Sequence, residues 1–191
     1  FTVGINKINL LFESTDFRPS LIVAFDLLLN QQNQYFIRNN FDIPKILSYK
    51  SKKDIGKGRK DLIYAYYVTD SSFSYDTTLA LSARGHTVYI ALQILYHMGF
   101  EEVALVGADH NFPNLRPQEL SLNKESDKFH FHKDYHKEGT ITQNADKLLI
   151  ETNYRDAKIA YELKGRKIYN ATKGGNLEVF ERIPLKEFIK L

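Results

Sequence analysis

The chain has no cysteine, one methionine and five prolines, and no apolar run approaches the roughly 18 residues needed to cross a bilayer. Without cysteine there is no disulfide framework, no thiolate zinc site and no cysteine nucleophile, and the expected compartment is a reducing one, the cytoplasm by default. The opening residues do not have the basic-then-apolar pattern of a secretory signal. Residue 1 is Phe1 and the single methionine is Met98, so the chain is expected to be a piece of a longer protein. A strong excess of one charge is also missing. With 26 basic against 23 acidic residues the formal charge is +3, too mild for a typical nucleic-acid binder and only slightly favourable to anionic ligands. What is present is 191 residues, 43% hydrophobic and 13% aromatic, which is enough for a single domain over 1–191 with its own core. No internal repeat or low-complexity tract interrupts it.

The apolar periodicity alternates between short β-rich runs and helical spacings. Residues 2–6, 21–25, 45–49, 62–68, 102–107 and 166–170 read as strands, and 177–180 as a short extended run. Asp26 opens a stretch of helical composition. Val88, Ala91, Leu92, Leu95 and Met98 step by three and four, predicting a helix between Gly85 and Gly99 with one apolar face and Gly99 as its stop. Asp146 to Lys164 regains that spacing, Gly165 ends it, and Pro184 opens a terminal helix. Helices that feed strands through short connections predict an α/β, Rossmann-like architecture with a mainly parallel sheet flanked by helices. Between Ala108 and about Thr142 the periodicity vanishes, a length at which a loop usually carries function or mobility.

Four stretches bear on chemistry. Gly107, Ala108, Asp109, His110 and Asn111 lie just past the carboxyl end of an expected parallel strand, where open α/β sheets bind ligands. Asp109 offers an acceptor for a sugar or pterin, a metal ligand or a base, with His110 and Asn111 as mixed donors and acceptors; a simple strand-end turn fits equally well. Gly85 and Thr87 precede the strongest helix. With Thr87 as N-cap, the free N–H groups of the first turn face any anion in the crevice, although the glycine spacing of a P-loop is absent.

The third stretch holds His130, His132 and His136, three of the six histidines, together with Asp134 and Tyr135. Such side chains suit acid–base work near neutral pH. Extended, His130 and His132 point the same way and form a zinc set with Asp134 or His136; proton transfer ranks first and metal second. In the plainer alternative this is a polar loop pinned by Phe129 and Phe131. The fourth stretch, residues 50–60, gathers six basic residues around Asp54. It reads as a solvated loop without a catalytic role, open to peripheral attraction by an anionic substrate or lipid headgroup.

Several blocks taken together resemble a known family. They are residues 1–8 and 18–23, then Gly85 to Val88, then Met98 to Phe112 with Gly107, Asp109, His110 and Asn111, then Phe131 to Tyr135, and finally Ile168 to Phe180 with Asn170 and Thr172. Over nearly the whole chain these are similar to the bacterial MptE-like proteins, often labelled 6-hydroxymethylpterin diphosphokinase-like. Those in turn are similar to the Maf flagellin glycosyltransferases and, more distantly, to the CMP-sialic-acid sialyltransferases. The resemblance implies that an amino-terminal strand and glycine-rich turn precede Phe1. It also implies that Asn6, Thr87, Gly107 and Asp109 contact a nucleotide, with Gly85, His110, Asn111, Asn170 and Thr172 around them. A tyrosine that the sialyltransferases place two positions after the aspartate is here Asn111, and the resemblance does not choose among the three loop histidines.

Transfer of a sialic-type sugar from CMP to a glycan or protein acceptor needs a base for the acceptor hydroxyl and donors for the departing phosphate, and in principle no metal. His132 is the expected base, oriented by Asp134 or Tyr135, with His130 and His136 in reserve. The alternative, diphosphate transfer from ATP, needs magnesium held by carboxylates, for which Asp26 and Asp109 are the placed acids. A third reading is a non-catalytic nucleotide-binding domain.

Overall fold

The computed structural model describes residues 1–69 and 72–191. Four short strands, β1 (Val3–Ile5), β2 (Leu21–Ala24), β3 (Lys45–Ser48) and β4 (Leu62–Ala65), form a sheet in that order. All three pairings are parallel, with Val3 opposite Leu21, Ile22 opposite Lys45 and Lys45 opposite Leu62. Every residue of β2 is buried, as expected for a strand covered on both faces. The lysine of β3 is fully buried too. Its Nζ donates to the carbonyls of Asn40 and Ile43 and pairs with Asp61 at 3.3 Å, which compensates the charge.

Three short helices, α1 (Leu27–Gln32), α2 (Gln34–Asn39) and α3 (Lys52–Ile55), follow β2 and β3. Asp26, which opens the stretch of helical composition, starts α1 by accepting the Leu29 N–H at 2.9 Å, an ordinary N-cap bond. The expected strand 62–68 is divided. After β4 the chain turns Tyr66 outward to stack on Tyr49 at 4.1 Å, and β5 (Tyr67–Val68) pairs in parallel with β6 (Leu81–Ser82).

The long helix α4 (Thr87–His97) ends in a left-handed Gly99, with Gly99 and Phe100 N–H groups bonding back to Tyr96 and Leu95, the glycine stop read from the sequence. Its burial is not one-sided. Ile90, Ala91 and Ile94 pack on Leu21, Val23 and Phe25 of the first sheet. Tyr89, Leu92, Leu95 and Tyr96 pack on Tyr154, Ala157, Tyr161, Val103 and Ile168. A helix wedged between two layers buries most of its circumference, whereas Met98, expected on the apolar face, is exposed. The second layer consists of β7 (Glu102–Leu105), β10 (Lys167–Asn170) and β11 (Glu181–Arg182), all parallel, covered by α5 (Lys147–Glu162). Asp146 caps α5 through the Leu149 N–H at 3.0 Å.

The expected long loop contains an antiparallel hairpin, β8 (Leu120–Leu122) with β9 (Ile141–Gln143). The expected extended run 177–180 is not a strand; Leu177 and Phe180 instead plug the α5 core, and pairing begins at Glu181. A short α6 (Leu185–Phe188) follows Pro184. The result is a mixed α/β protein with a four-stranded parallel sheet flanked by helices, compatible with a Rossmann-like fold. Among the described residues no helix is long and apolar enough to cross a membrane.

Candidate functional site

At the carboxyl end of β1 the chain takes a left-handed turn on Asn6, with φ of 50°, a conformation asparagine tolerates better than most residues. Its Oδ1 accepts a hydrogen bond from the Thr87 hydroxyl at 3.2 Å. Thr87 is therefore not the N-cap of α4. That position belongs to the extended His86, which makes no side-chain cap bond, because its ring is sunk between Tyr89 and Tyr154, with centroids 6.2 and 4.8 Å away. The N-cap residue itself thus makes no side-chain bond to the first-turn N–H groups of α4, and the threonine hydroxyl ties the helix start to β1.

The histidine segment lies beyond β8 and β9, at the end of their hairpin, and docks on this same corner. The docking group is Tyr135, 6% exposed, where the sequence pointed to Phe129 and Phe131; both of those remain exposed. Lys7 Nζ donates to the Tyr135 carbonyl at 2.6 Å and to Gln32 Oε1 at 2.7 Å, and Gln32 in turn donates to the Ile141 carbonyl at 3.0 Å. Burial pushes the Lys7 ammonium down to about 8, helped by Lys137 and opposed by Asp26. Burial likewise raises the Tyr135 phenol to about 12, against the Asn6 side chain that meets it. With Oδ1 committed to Thr87, the amide NH₂ of Asn6 is the end left for that phenol. Asn6 thereby joins strand, helix and hairpin.

Within the segment the backbone bends and turns, so the expected extended geometry of His130 and His132 is not formed. His130 lies flat on Tyr135 at 4.1 Å and 3°, and its Nδ1 meets Asp127 Oδ2 at 2.8 Å. His136 packs edge-on to His130 at 4.8 Å, and burial lowers its pKa to about 4, with His130 adding to the effect. His132 stands apart. Its Nδ1 accepts the backbone N–H of Asp134 at 3.1 Å, so neither the Asp134 carboxylate nor the Tyr135 hydroxyl orients it as the sequence suggested. The zinc set changes accordingly: the clustered side chains are Asp127, His130 and His136, without His132 or Asp134. Asp127 and Lys7 escaped the sequence reading. The only signals were an acid three positions before His130 and a lysine directly after Asn6.

Beyond β7, Gly107 is exposed and left-handed at φ of 77°, and Asp109 folds its carboxylate onto the Asn111 N–H at 3.2 Å. Thr172 accepts the Ala108 N–H at 3.0 Å and Asn176 N–H reaches the Asp109 carbonyl at 2.6 Å, locking this turn to the end of β10. Three residues expected near a nucleotide have structural roles here. His110, 4% exposed, turns inward to Glu151 at 3.0 Å. Asn170, 1% exposed, donates to the Leu177 carbonyl and accepts from the Thr172 N–H. Gly85 is a left-handed turn residue backed closely by Leu149. His86 and His110 approach the same Tyr154 ring, at 4.8 and 6.4 Å, which links the β7 turn to the start of α4. Asp26 and Asp109 are both engaged in local N–H bonds and belong to no cluster of three metal-ligating side chains among the described residues.

The basic stretch 50–60 is more ordered than a solvated loop. It forms α3 and walls an open cavity of about 790 Å³ against α1, lined by Leu27, Gln31, Tyr49, Gly56, the lysines Lys50, Lys52, Lys53 and Lys57, and one carboxylate, Asp54. No carboxylate pairs with these four lysines among the described residues. Leu27 lies three residues past the carboxyl end of β2 and Tyr49 directly after that of β3, so the cavity opens on the edge of the sheet that also carries Asn6. Compared with protein-family models, curated proteins and solved structures, the chain matches none.

Proposed function

We propose that the chain is a Rossmann-like transferase that uses a nucleotide-activated donor, with a CMP-linked sialic-type sugar as the preferred donor and a glycan or protein as acceptor, acting in bacterial surface-glycan or flagellin modification in the cytoplasm. The observation that carries this reading is the docking of the histidine hairpin on the Asn6–Thr87 corner. It brings acid–base side chains to the carboxyl edge of a parallel sheet, where such folds bind nucleotides. The resemblance to MptE-like proteins and sialyltransferases points the same way.

In the proposed reaction the bond between the sugar and the phosphate oxygen breaks, a bond from the acceptor oxygen to the sugar forms, and the acceptor proton passes to an imidazole. Negative charge builds on the leaving phosphate. The first-turn N–H groups of α4 and the lysine-lined cavity supply a positive field for it. Of the three loop imidazoles, His130 is bonded to Asp127 and His136 is packed edge-on against His130, whereas His132 bonds a backbone N–H. To act as base it gives up only the Asp134 N–H contact. Exposed Gly107 and the Asp109 turn provide backbone for the donor at the far side of the corner.

Ligand-dependent melting tests this. A nucleotide at a hundred times its dissociation constant adds about 2.7 kcal/mol of stability. CMP or a CMP-sugar is expected to raise the melting temperature without added metal. Stabilisation only by ATP with magnesium replaces this reading with diphosphate transfer, and no shift with any nucleotide removes both.

A further inference from the structure

We propose that Asp127, His130 and His136 bind one divalent transition-metal cation of zinc type. The inference does not depend on the transferase reading. Each of the three side chains presents a ligand atom, carboxylate oxygen or imidazole nitrogen, within 4.8 Å of the other two. Zinc holds such atoms at about 2.0–2.1 Å in a tetrahedron, which spaces them about 3.4 Å apart. The set therefore needs to contract by no more than about 1.5 Å at its widest pair, well within side-chain rotation.

Three features distinguish this set from a chance group of polar side chains. The Asp127 carboxylate is 3% exposed, and its Oδ1 accepts the N–H groups of Phe129 and His130 at 2.7 and 3.0 Å. Those bonds fix Oδ2 toward the cluster, as outer-shell bonds fix metal ligands. His136 carries a buried Nδ1 with no hydrogen-bond partner among the described residues, an arrangement that is costly unless something satisfies it. His130 is held flat against buried Tyr135, so its ring direction is set before any ion arrives. Lys7, whose charge bears on His136 and Asp127, spends its ammonium on the Tyr135 carbonyl and Gln32.

Two nitrogens and one oxygen suit zinc or its neighbours, not magnesium or calcium, which take oxygen sets. On binding, the proton that His130 Nδ1 shares with Asp127 passes through water to Nε2, and the freed lone pair goes to the metal. The His130 side chain is 36% exposed, so a water completes the coordination from the solvent side. The ion clips residue 127 to residue 136 and steadies Tyr135 on Asn6.

The test strips the chain with a chelator, then titrates zinc by calorimetry and cobalt(II) by visible absorption. One ion per chain is expected, with a cobalt band typical of low coordination. Asp127→Asn and His136→Ala are each expected to weaken binding by at least roughly a hundredfold, while His97→Ala, on the far end of α4, leaves it unchanged. Because the chain lacks cysteine, thiolate binding cannot imitate the result. Unchanged affinity in both cluster variants, or failure to take up one equivalent, overturns the proposal. If a variant loses its fold, imidazole NMR of the unaltered chain decides. Zinc must shift the His130 and His136 resonances and spare His97, and the opposite pattern overturns the site. None of these readouts is turnover, so a failure of nucleotide binding is recorded separately.

Discussion

Asn6 and Thr87, 81 positions apart, are joined by a 3.2 Å hydrogen bond from the threonine hydroxyl to the asparagine Oδ1, and Asn6 holds that bond from a left-handed backbone. A side chain with Cβ loses about 1–2 kcal/mol in that conformation, and asparagine and glycine are the residues that visit it routinely. Asn6→Ala is therefore expected to be less stable to urea than Asn6→Gly by about 1 kcal/mol, although glycine lacks the side chain altogether. Both variants lose the contact with Tyr135, so both should be cleaved faster by protease within residues 124–140. Equal stability of the two would show that the turn at Asn6 is not what positions its amide.

Gly175 tests the proposed role of the Asp109 turn. A Cβ placed there meets the Asp109 Cα and carbonyl oxygen at 2.6 Å, and its φ is +77°. The obstacle is backbone, which cannot swing aside as a side-chain tip does. Gly175→Ala is expected to cost about 1–3 kcal/mol, to break the Asn176-to-Asp109 bond and to lower nucleotide affinity. Unchanged melting together with unchanged affinity would remove Asp109 from the ligand-binding edge.

The parts legible in the sequence are those governed by local rules. β2 and β7 announce themselves as apolar runs, Asp26 and Asp146 open stretches of helical pattern and do cap them, and Gly99 ends α4 by its left-handed φ. What was illegible depends on distant partners. The spacing alone carries the apolar face of α4 to Met98, because nothing local reveals that Ile90 and Ile94 meet one sheet while Leu92 and Tyr96 meet another. Tyr135 looks like a polar-loop residue until Lys7, 128 positions away, takes its carbonyl. His110 follows a strand and Asn170 falls in a block of the family resemblance, which puts both near a nucleotide, yet Glu151 and Leu177 draw them inward. Asp127 precedes His130 by three, a spacing with meaning only in this bent backbone.

His86 predicts an acid-sensitive fold. Burial pushes its pKa down from 6.5 to about 3, with His110 adding to the effect; Tyr89, Tyr154 and the Glu151 bonded to His110 surround the pair. Between those two values the unfolded chain takes up a proton that the folded chain refuses. Stability is then fully present above about 6.5 and is lost progressively as pH falls toward 3. His86→Phe keeps a ring against Tyr154 and removes the proton. Urea midpoints compared at about pH 7 and about pH 4 should differ less in the variant than in the parent. An identical loss in both would place the acid sensitivity elsewhere.

The histidine hairpin gives the most direct test of the chemistry. His132 accepts an N–H from the Asp134 backbone and touches no carboxylate or second imidazole through its ring nitrogens, so it is the loop imidazole free to exchange a weak contact for an acceptor hydroxyl. Base catalysis acts in the transition state and adds little to ground-state binding of the donor. His132→Ala is accordingly expected to lower turnover by roughly a hundredfold to ten-thousandfold while the donor dissociation constant stays within a few-fold. His132→Gln, which can still accept the Asp134 N–H but cannot take the proton, should be as slow as His132→Ala; recovery of activity in the glutamine variant would mean that the residue only shapes the turn. Full turnover in both variants would move proton transfer away from His132. The next candidate is then His130, whose Nδ1 already meets Asp127 at 2.8 Å.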